Sequence, residues 1–145
     1  MSTQPLTRAC FHTIKPLSTR WMDNDVYGHV NNVTYYSYFD TIVNNYLIEQ
    51  GGLNIQTSPH IGYIVKSDCS YFSSVAFPEK IEGAFRVNRI GNSSVEYGVA
   101  IFKEGQGDAC AYGTMTHVFV DRKTKKPVKI VGQMLTVLQQ ALIRQ

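Results

Sequence analysis

Two carboxylates, Asp23 and Asp25, lie two residues apart in the stretch RWMDNDVYGHVNNVTYY, which runs from Arg20 to Tyr36. Gly28, His29, Asn31 and Asn32 follow, and a strongly apolar, aromatic run comes directly after them. That run reads as a helix, which puts the polar residues at its N-terminus. A helix N-terminus presents unpaired backbone N–H groups and about half a positive charge. Such donors suit a carbonyl oxygen that gains negative charge during acyl transfer. A carboxylate beside them can attack the carbonyl or activate a water. Asp25 and the amides around Asn32 are therefore candidates for a hydrolytic pair, and Asn31 or Asn32 for the helix cap. Asp23 reads instead as a loop-building residue that accepts hydrogen bonds from nearby amides, as in an Asx-turn. His29 is open to a general-base reading, but a His in a tight loop more often hydrogen-bonds backbone. Gly28 supplies a backbone conformation that other residues resist.

The elements that must position these groups are legible as patterns. Residues 9–20 read as a first strand. Residues 31–50 read as the helix, with Tyr35, Tyr36, Phe39, Ile42, Val43, Tyr46 and Leu47 forming one apolar stripe and Gly51–Gly52 the stop. Strands are expected over 61–72, 81–90, 95–102 and 109–120, with a break at Pro78 and turns at 91–94 and 104–108. A last amphipathic helix carries Met134, Leu135, Leu138, Ala141 and Leu142 as its stripe. The order is one strand, a long helix, four strands in a meander and a short helix. A twisted antiparallel sheet wrapped around the long helix buries both, an α+β layout. No Gly-rich phosphate fingerprint follows a strand, which disfavours a dinucleotide or P-loop site.

Bulk properties narrow the function classes. The 145 residues amount to one domain, spanning 1–145. At 43% hydrophobic and 17% charged, the chain can bury an ordinary core without a disulfide or metal. Nine Tyr and seven Phe suit a sheet-rich protein. The net charge of +3 excludes neither a neutral nor an anionic ligand. The one dense basic run, DRKTKKPVK from Asp121 to Lys129, reads as a solvated loop or as an anion-attracting rim. No basic stripe interleaved with aromatics appears, so no nucleic acid partner is expected. Cys10, Cys69 and Cys110 are widely spaced, with no ligand pattern for a metal. Cys69 has no activating His or cation at a telling spacing and reads as a strand residue. His117 reads as a strand-face residue. The start, MSTQPLTRAC, has no apolar signal core, and no run reaches a membrane span. The expectation is a cytoplasmic protein with no membrane partner, reduced thiols and no cofactor.

The segment RWMDNDVYGHVNNVTYYSYFD resembles the opening motif of the hotdog-fold acyl-CoA thioesterases of the 4-hydroxybenzoyl-CoA thioesterase type. The matching residues are Asp23, Asp25, Gly28, His29, Val30, Asn31, Asn32, Tyr35, Tyr38, Phe39 and Asp40. One departure is that no arginine follows Asp40, where the segment reads DTIVNNYL. The resemblance implies a five-stranded antiparallel sheet around a central helix. It implies homodimers whose sheets join, often paired again into homotetramers; strand 61–72 is the expected contact. It implies hydrolysis of acyl-CoA, with Asp25 catalytic as nucleophile or base and the oxyanion donor near Asn32. His29, Tyr35 and Tyr36 are then expected against the substrate. The turn carrying Arg89, Ser93 and Ser94 is expected at the nucleotide end, with Arg122, Lys123, Lys125 and Lys126 as the other candidates. Two further readings stay open: a non-catalytic acyl-CoA or acyl-carrier binding module, and a hotdog dehydratase using His29 with Asp25.

Overall fold

Pro16 stands inside a strand because that strand runs along the edge of a sheet, where a missing N–H costs no ladder bond. A computed structural model describes residues 6–143; the first five residues of the stretch read for a leader lie outside them. In chain order the elements are β1 (Thr13–Ser18), α1 (Thr34–Glu49), β2 (His60–Tyr71), β3 (Lys80–Ile90), β4 (Ser94–Lys103), β5 (Ala111–Asp121) and α2 (Gly132–Gln140). Among the described residues, no helix is long and apolar enough to cross a membrane.

The five strands form one antiparallel sheet in the order β1-β3-β4-β5-β2. This corrects the expected four-strand meander: only β3, β4 and β5 follow one another. A β2–β3 hairpin would need β3's outer edge, which β1 occupies from Phe85 to Lys80. The C-terminal segment then continues along that edge, with Ile143 N–H bonded to the Val87 carbonyl and Val87 N–H to that of Ala141. The edge left open is β5's, and β2 fills it. Residues 72–79 therefore cross from one side of the sheet to the other, passing the N-terminal end of α1. Val75 is buried there, and its carbonyl accepts the Val30 N–H at 2.7 Å.

Helix α1 begins three residues later than its polar flank suggests, because residues 31–33 form a turn closed by Asn31. It ends at Gly51–Gly52, as expected, with Leu53 N–H reaching back to the Leu47 carbonyl. Its buried face comprises Tyr35, Tyr38, Phe39, Ile42, Val43, Tyr46 and Leu47. Tyr38 replaces Tyr36 in the expected stripe. Close packing on the sheet is possible because two strand positions lack a side chain. A Cβ on Gly83 would sit 2.5 Å from Ile42 Cγ1, and one on Gly113 2.7 Å from Phe39 Cε2. The core between helix and sheet includes Ile81, Phe85, Val87, Val95, Tyr97, Val99, Ile101, Met115 and Phe119.

The outer face of the sheet carries a second, smaller cluster. Phe11, Ile14 and Tyr112 pack on Ala84, Ala100, Phe102 and Ala109, so β4 is buried on both faces. Residues 8–10 form a single 3-10 turn and not the start of β1, because Arg8 is tied down by Glu82 and by the carbonyls of Lys103 and Gln106. Helix α2 buries Val137 and Leu138, with Ala141 just beyond it; Leu142, expected on its stripe, is exposed past the helix end.

Candidate active site

Residues 20–33 are folded mostly by their own polar groups. Asp23 is buried and draws hydrogen bonds from three directions: Tyr38 Oη donates to Oδ2 at 2.6 Å, Arg20 N–H to Oδ2 at 2.8 Å and Arg20 Nε to Oδ1 at 3.1 Å. Burial works to raise the Asp23 carboxyl, but the bonds from Tyr38 and Arg20 outweigh it and hold the group below its usual range. Burial, reinforced by the same bond, pushes the Tyr38 phenol up. Asp23 thus ties the loop to the first turns of α1, a structural role reached through Tyr38 rather than through loop amides alone. The Asp23 carbonyl also accepts the Asn31 N–H.

Asp25 is half-exposed and differently used. Its Oδ1 accepts Tyr27 N–H at 2.9 Å and, more loosely, His29 N–H at 3.4 Å; Gly28 N–H bonds its carbonyl at 3.1 Å. Gly28 takes φ +83, a left-handed conformation that closes the loop and suits glycine. Oδ2 has no hydrogen-bond partner among the described residues. One carboxylate oxygen is thus fixed by backbone donors and the other left free, the arrangement a nucleophile or base needs.

Asn32 follows at the helix entrance. The Asn31 side chain takes the Val33 N–H at 3.1 Å and the Asn31 carbonyl takes the Thr34 N–H at 2.9 Å. The Asn32 N–H has no acceptor among the described residues. Its peptide is polarised by the Thr34 bond on the Asn31 carbonyl, which strengthens the free N–H as a donor. The Asn32 carbonyl is held by Tyr71 Oη at 2.9 Å. An open cleft of about 290 Å³ lies here, lined by Val30, Asn32, Tyr35, Tyr71, Phe72, Ser73 and Ser74. Tyr35 and Tyr71 meet edge to face at 5.1 Å, and burial pushes the Tyr35 phenol up to about 12, so both rings stay neutral.

Asn32 and Tyr35 line the cleft, whereas Asp25 and His29 lie in the loop that precedes α1 and do not line it, and the other expected contacts lie elsewhere. The His29 imidazole makes no hydrogen bond among the described residues; contrary to expectation, its backbone, not its ring, ties the loop. Tyr36 does not line the cleft and lies edge-on against Phe39. Arg89, Ser93 and Ser94 lie at the opposite end of the sheet, roughly 30 Å away along β3, counting ten residues of strand. Arg89 is directly opposite Glu96 in the ladder. The carbonyls of Asn92 and Ser93 accept the Ile130 and Phe119 N–H groups. Cys69 is not an activated thiol, since burial pushes it up to about 11. Sequence reading passed over Tyr71 as a cleft residue, because its approach depends on the crossing of segment 72–79. His117 lies on a strand face of β5, as expected, and is buried there with Nδ1 3.0 Å from Tyr97 Oη.

Residues 19–140 match the model of the thioesterase-like superfamily, and the chain belongs to that family. Its fold, a sheet around a long helix with a short C-terminal helix, is that of the hotdog thioesterases. A crystal structure of the PA5185 protein from Pseudomonas aeruginosa PAO1 is similar, with 53% identity, a TM-score of 0.93 and 96% of each chain covered. The DHNA-CoA thioesterase of Staphylococcus aureus shares the fold at 20% identity and TM-score 0.72, over 81% of this chain and 79% of that one. The uncharacterized YsmA protein of Bacillus subtilis is 22% identical over 83% of this chain and 81% of its own.

Proposed function

We propose that the protein hydrolyses acyl-CoA thioesters to the free acid and CoA. The observation that carries this reading is that two unbonded groups flank the start of α1: Asp25 Oδ2, in the loop just before it, and the Asn32 N–H at its entrance. The thioester oxygen accepts the Asn32 N–H, and the carbonyl carbon is exposed to Asp25 Oδ2 or to a water that Oδ2 deprotonates. If Oδ2 attacks, the C–S bond breaks, the CoA thiolate leaves and water then cleaves the acyl-aspartyl anhydride. If Oδ2 acts as base, the activated water adds, the C–S bond breaks, and the departing thiolate takes the proton, releasing the acid directly. The acyl group lies against Tyr35 and Tyr71, and His29 is free to meet the substrate. Membership in the thioesterase-like superfamily supports the reaction class. The similar DHNA-CoA thioesterase supports CoA as the thiol carrier. A dehydratase needs a His coupled to an acid, and no bond joins the His29 ring to Asp25 among the described residues, which speaks against that reading.

The working unit is a homodimer, or a tetramer built from dimers. Strand β2 is a twelve-residue sheet edge with Tyr63, Ile64, Val65 and Tyr71 exposed along it. Trp21, Met22, Val26, Tyr27 and Val33 stand exposed around the Asp25 loop. An apolar edge of this length calls for a partner strand, and antiparallel pairing of two β2 strands brings the two clefts to one interface.

The test is thiol release from a panel of short, long and aromatic acyl-CoAs, by the wild type and by Asp25→Asn. The substitution keeps the shape but removes the charge, and turnover of the best substrate should fall ~10²–10⁴-fold. Near wild-type turnover by the folded variant would sink the assignment. Absence of thiol release across the panel, with CoA still bound, would favour a binding module. Light scattering that reports a monomer of 16.3 kDa at micromolar concentration would refute the dimer.

A further inference from the structure

The half-buried Arg86 has no carboxylate partner among the described residues, whereas Arg8 and Arg20 are each paired with one. Its guanidinium lies on the outer face of the sheet and is held by neutral acceptors. Nε donates to Asn88 Oδ1 at 2.9 Å, Nη1 to the Cys10 carbonyl at 3.2 Å and Nη2 to Tyr112 Oη at 3.0 Å. The carboxylate in this network, Glu96, accepts Asn88 Nδ2 and not Arg86. The Phe11 and Tyr112 rings each stand 5.2 Å from Cζ and 6.1 Å from one another, so both shelter the same side of it. Gly98 leaves room on β4: a Cβ there would stand 2.8 Å from Arg86 Nε. An arginine offers five N–H donors. Three are spent here, which leaves one on Nη1 and one on Nη2, a pair that can take both oxygens of one carboxylate. A half-buried charge among neutral groups also lacks the counter-charge that would offset its desolvation.

Arg86 lines a cavity of about 400 Å³ between the N-terminal segment and the C-terminal segment that follows α2. That size falls within the roughly 300–1,000 Å³ of small-molecule sites. Its walls combine apolar surface, from Phe11, Leu142 and Ile143, with two polar groups, Arg86 and His12. The His12 imidazole makes no hydrogen bond among the described residues. No residue lines both this cavity and the Asn32 cleft. The cavity lies towards the β1–β3 edge of the sheet, and β2 is the opposite edge, so pairing of β2 strands leaves it open. We infer that this cavity is a second ligand site, for a monocarboxylate with an apolar body. The carboxylate bridges Nη1 and Nη2 of Arg86, and the body lies against Phe11, Leu142 and Ile143. An inorganic anion would leave the apolar wall unused, and a neutral amphiphile would leave the two N–H groups unpaired. The free acid released by the proposed hydrolysis belongs to this class of ligand. That link rests on the hydrolase reading above; the binding itself does not.

Calorimetric titration at low salt with octanoate, octanamide, acetate and inorganic phosphate tests the site. Octanoate should bind, and each of the other three should bind at least about tenfold more weakly, since each lacks either the charge or the apolar body. Arg86→Lys keeps a positive charge but not the paired N–H groups, and should weaken octanoate about tenfold. Leu142→Glu changes an exposed position past the end of α2 and leaves Arg86 in place. It sets a carboxylate at the cavity and should abolish octanoate binding, whereas the neutral Leu142→Gln should lose much less. Thermal melting checks that each variant is folded. Absence of octanoate binding overturns the site. So does octanoate affinity that is the same in Leu142→Glu as in Leu142→Gln, because the acid is then held elsewhere. Phosphate binding as tight as octanoate binding overturns the ligand class. None of these readouts uses turnover, so failure of the hydrolase reading leaves them intact, and failure of this site leaves thiol release by the wild type unchanged.

Discussion

Acid should destabilise this fold through one buried imidazole, well above the pH where carboxylates titrate. His117 is 4% exposed, flanked by the Tyr97 and Phe119 rings and bonded through Nδ1 to Tyr97 Oη. Gly62 on β2 leaves it room: a Cβ there would stand 2.6 Å from Nδ1. Burial disfavours the charged ring and lowers its pKa from 6.5 to about 4. The unfolded chain takes up the proton first, so stability is complete above pH 6.5 and falls as pH drops from there towards 4. At about 1.4 kcal/mol per pKa unit, the loss is about 2 kcal/mol at pH 5 and about 3 kcal/mol by pH 4. Urea unfolding at one protein concentration, from pH 8 to pH 5, measures it. His117→Asn keeps an acceptor close to the Nδ1 position but cannot charge. It should be less stable at pH 8 through lost ring packing, yet its stability should change much less between pH 8 and 5. A variant that loses as much as wild type over that interval would show that His117 is not the group responsible.

Three further outcomes follow from the geometry. Asp23→Asn should lower stability by about 2 kcal/mol, because hydrogen bonds to a charged acceptor are exchanged for weaker ones in a buried place; its melting temperature should fall more than its turnover, and the reverse result would exchange the roles assigned to Asp23 and Asp25. Gly113→Ala would set a Cβ 2.1 Å from the Asp68 carbonyl oxygen. Thermal melting should show a loss of at least ~1–3 kcal/mol, whereas Gly107→Ala, with no atom within 4 Å, should melt as wild type does. Tyr71→Phe keeps the ring against Tyr35 but frees the Asn32 carbonyl; kcat should fall severalfold, as for one net hydrogen bond of about 1 kcal/mol, with KM little changed.

The local chemistry of the candidate site was legible in the chain because it is built from near neighbours. Asp25, Gly28, His29 and Asn32 lie within eight residues, and the loop closes on its own amides. Helix α1 and its stop at Gly51–Gly52 were equally plain, since periodicity and helix-ending glycines act locally. The misjudged stripe position has a physical origin. Position 38, three residues after Tyr35 and four before Ile42, falls on the buried face by helical spacing, whereas 36 does not. The Tyr38 hydroxyl is then satisfied by the Asp23 carboxylate, a partner that a stripe of apolar residues does not reveal.

Strand order was decided by tertiary structure. Alternating apolar residues say that a segment is a strand and which face it buries, but not which edge it joins. Here β1 and the C-terminal segment occupy the outer edge of β3, which sends β2 to β5 and draws residues 72–79 across the entrance of α1. That crossing makes the cleft: it brings Tyr71 to the Asn32 carbonyl and Val75 to the Val30 amide. The same topology parts the Arg89 turn from Asp25. The composition of each segment determined its own conformation, while competition among segments for the few free sheet edges determined their arrangement.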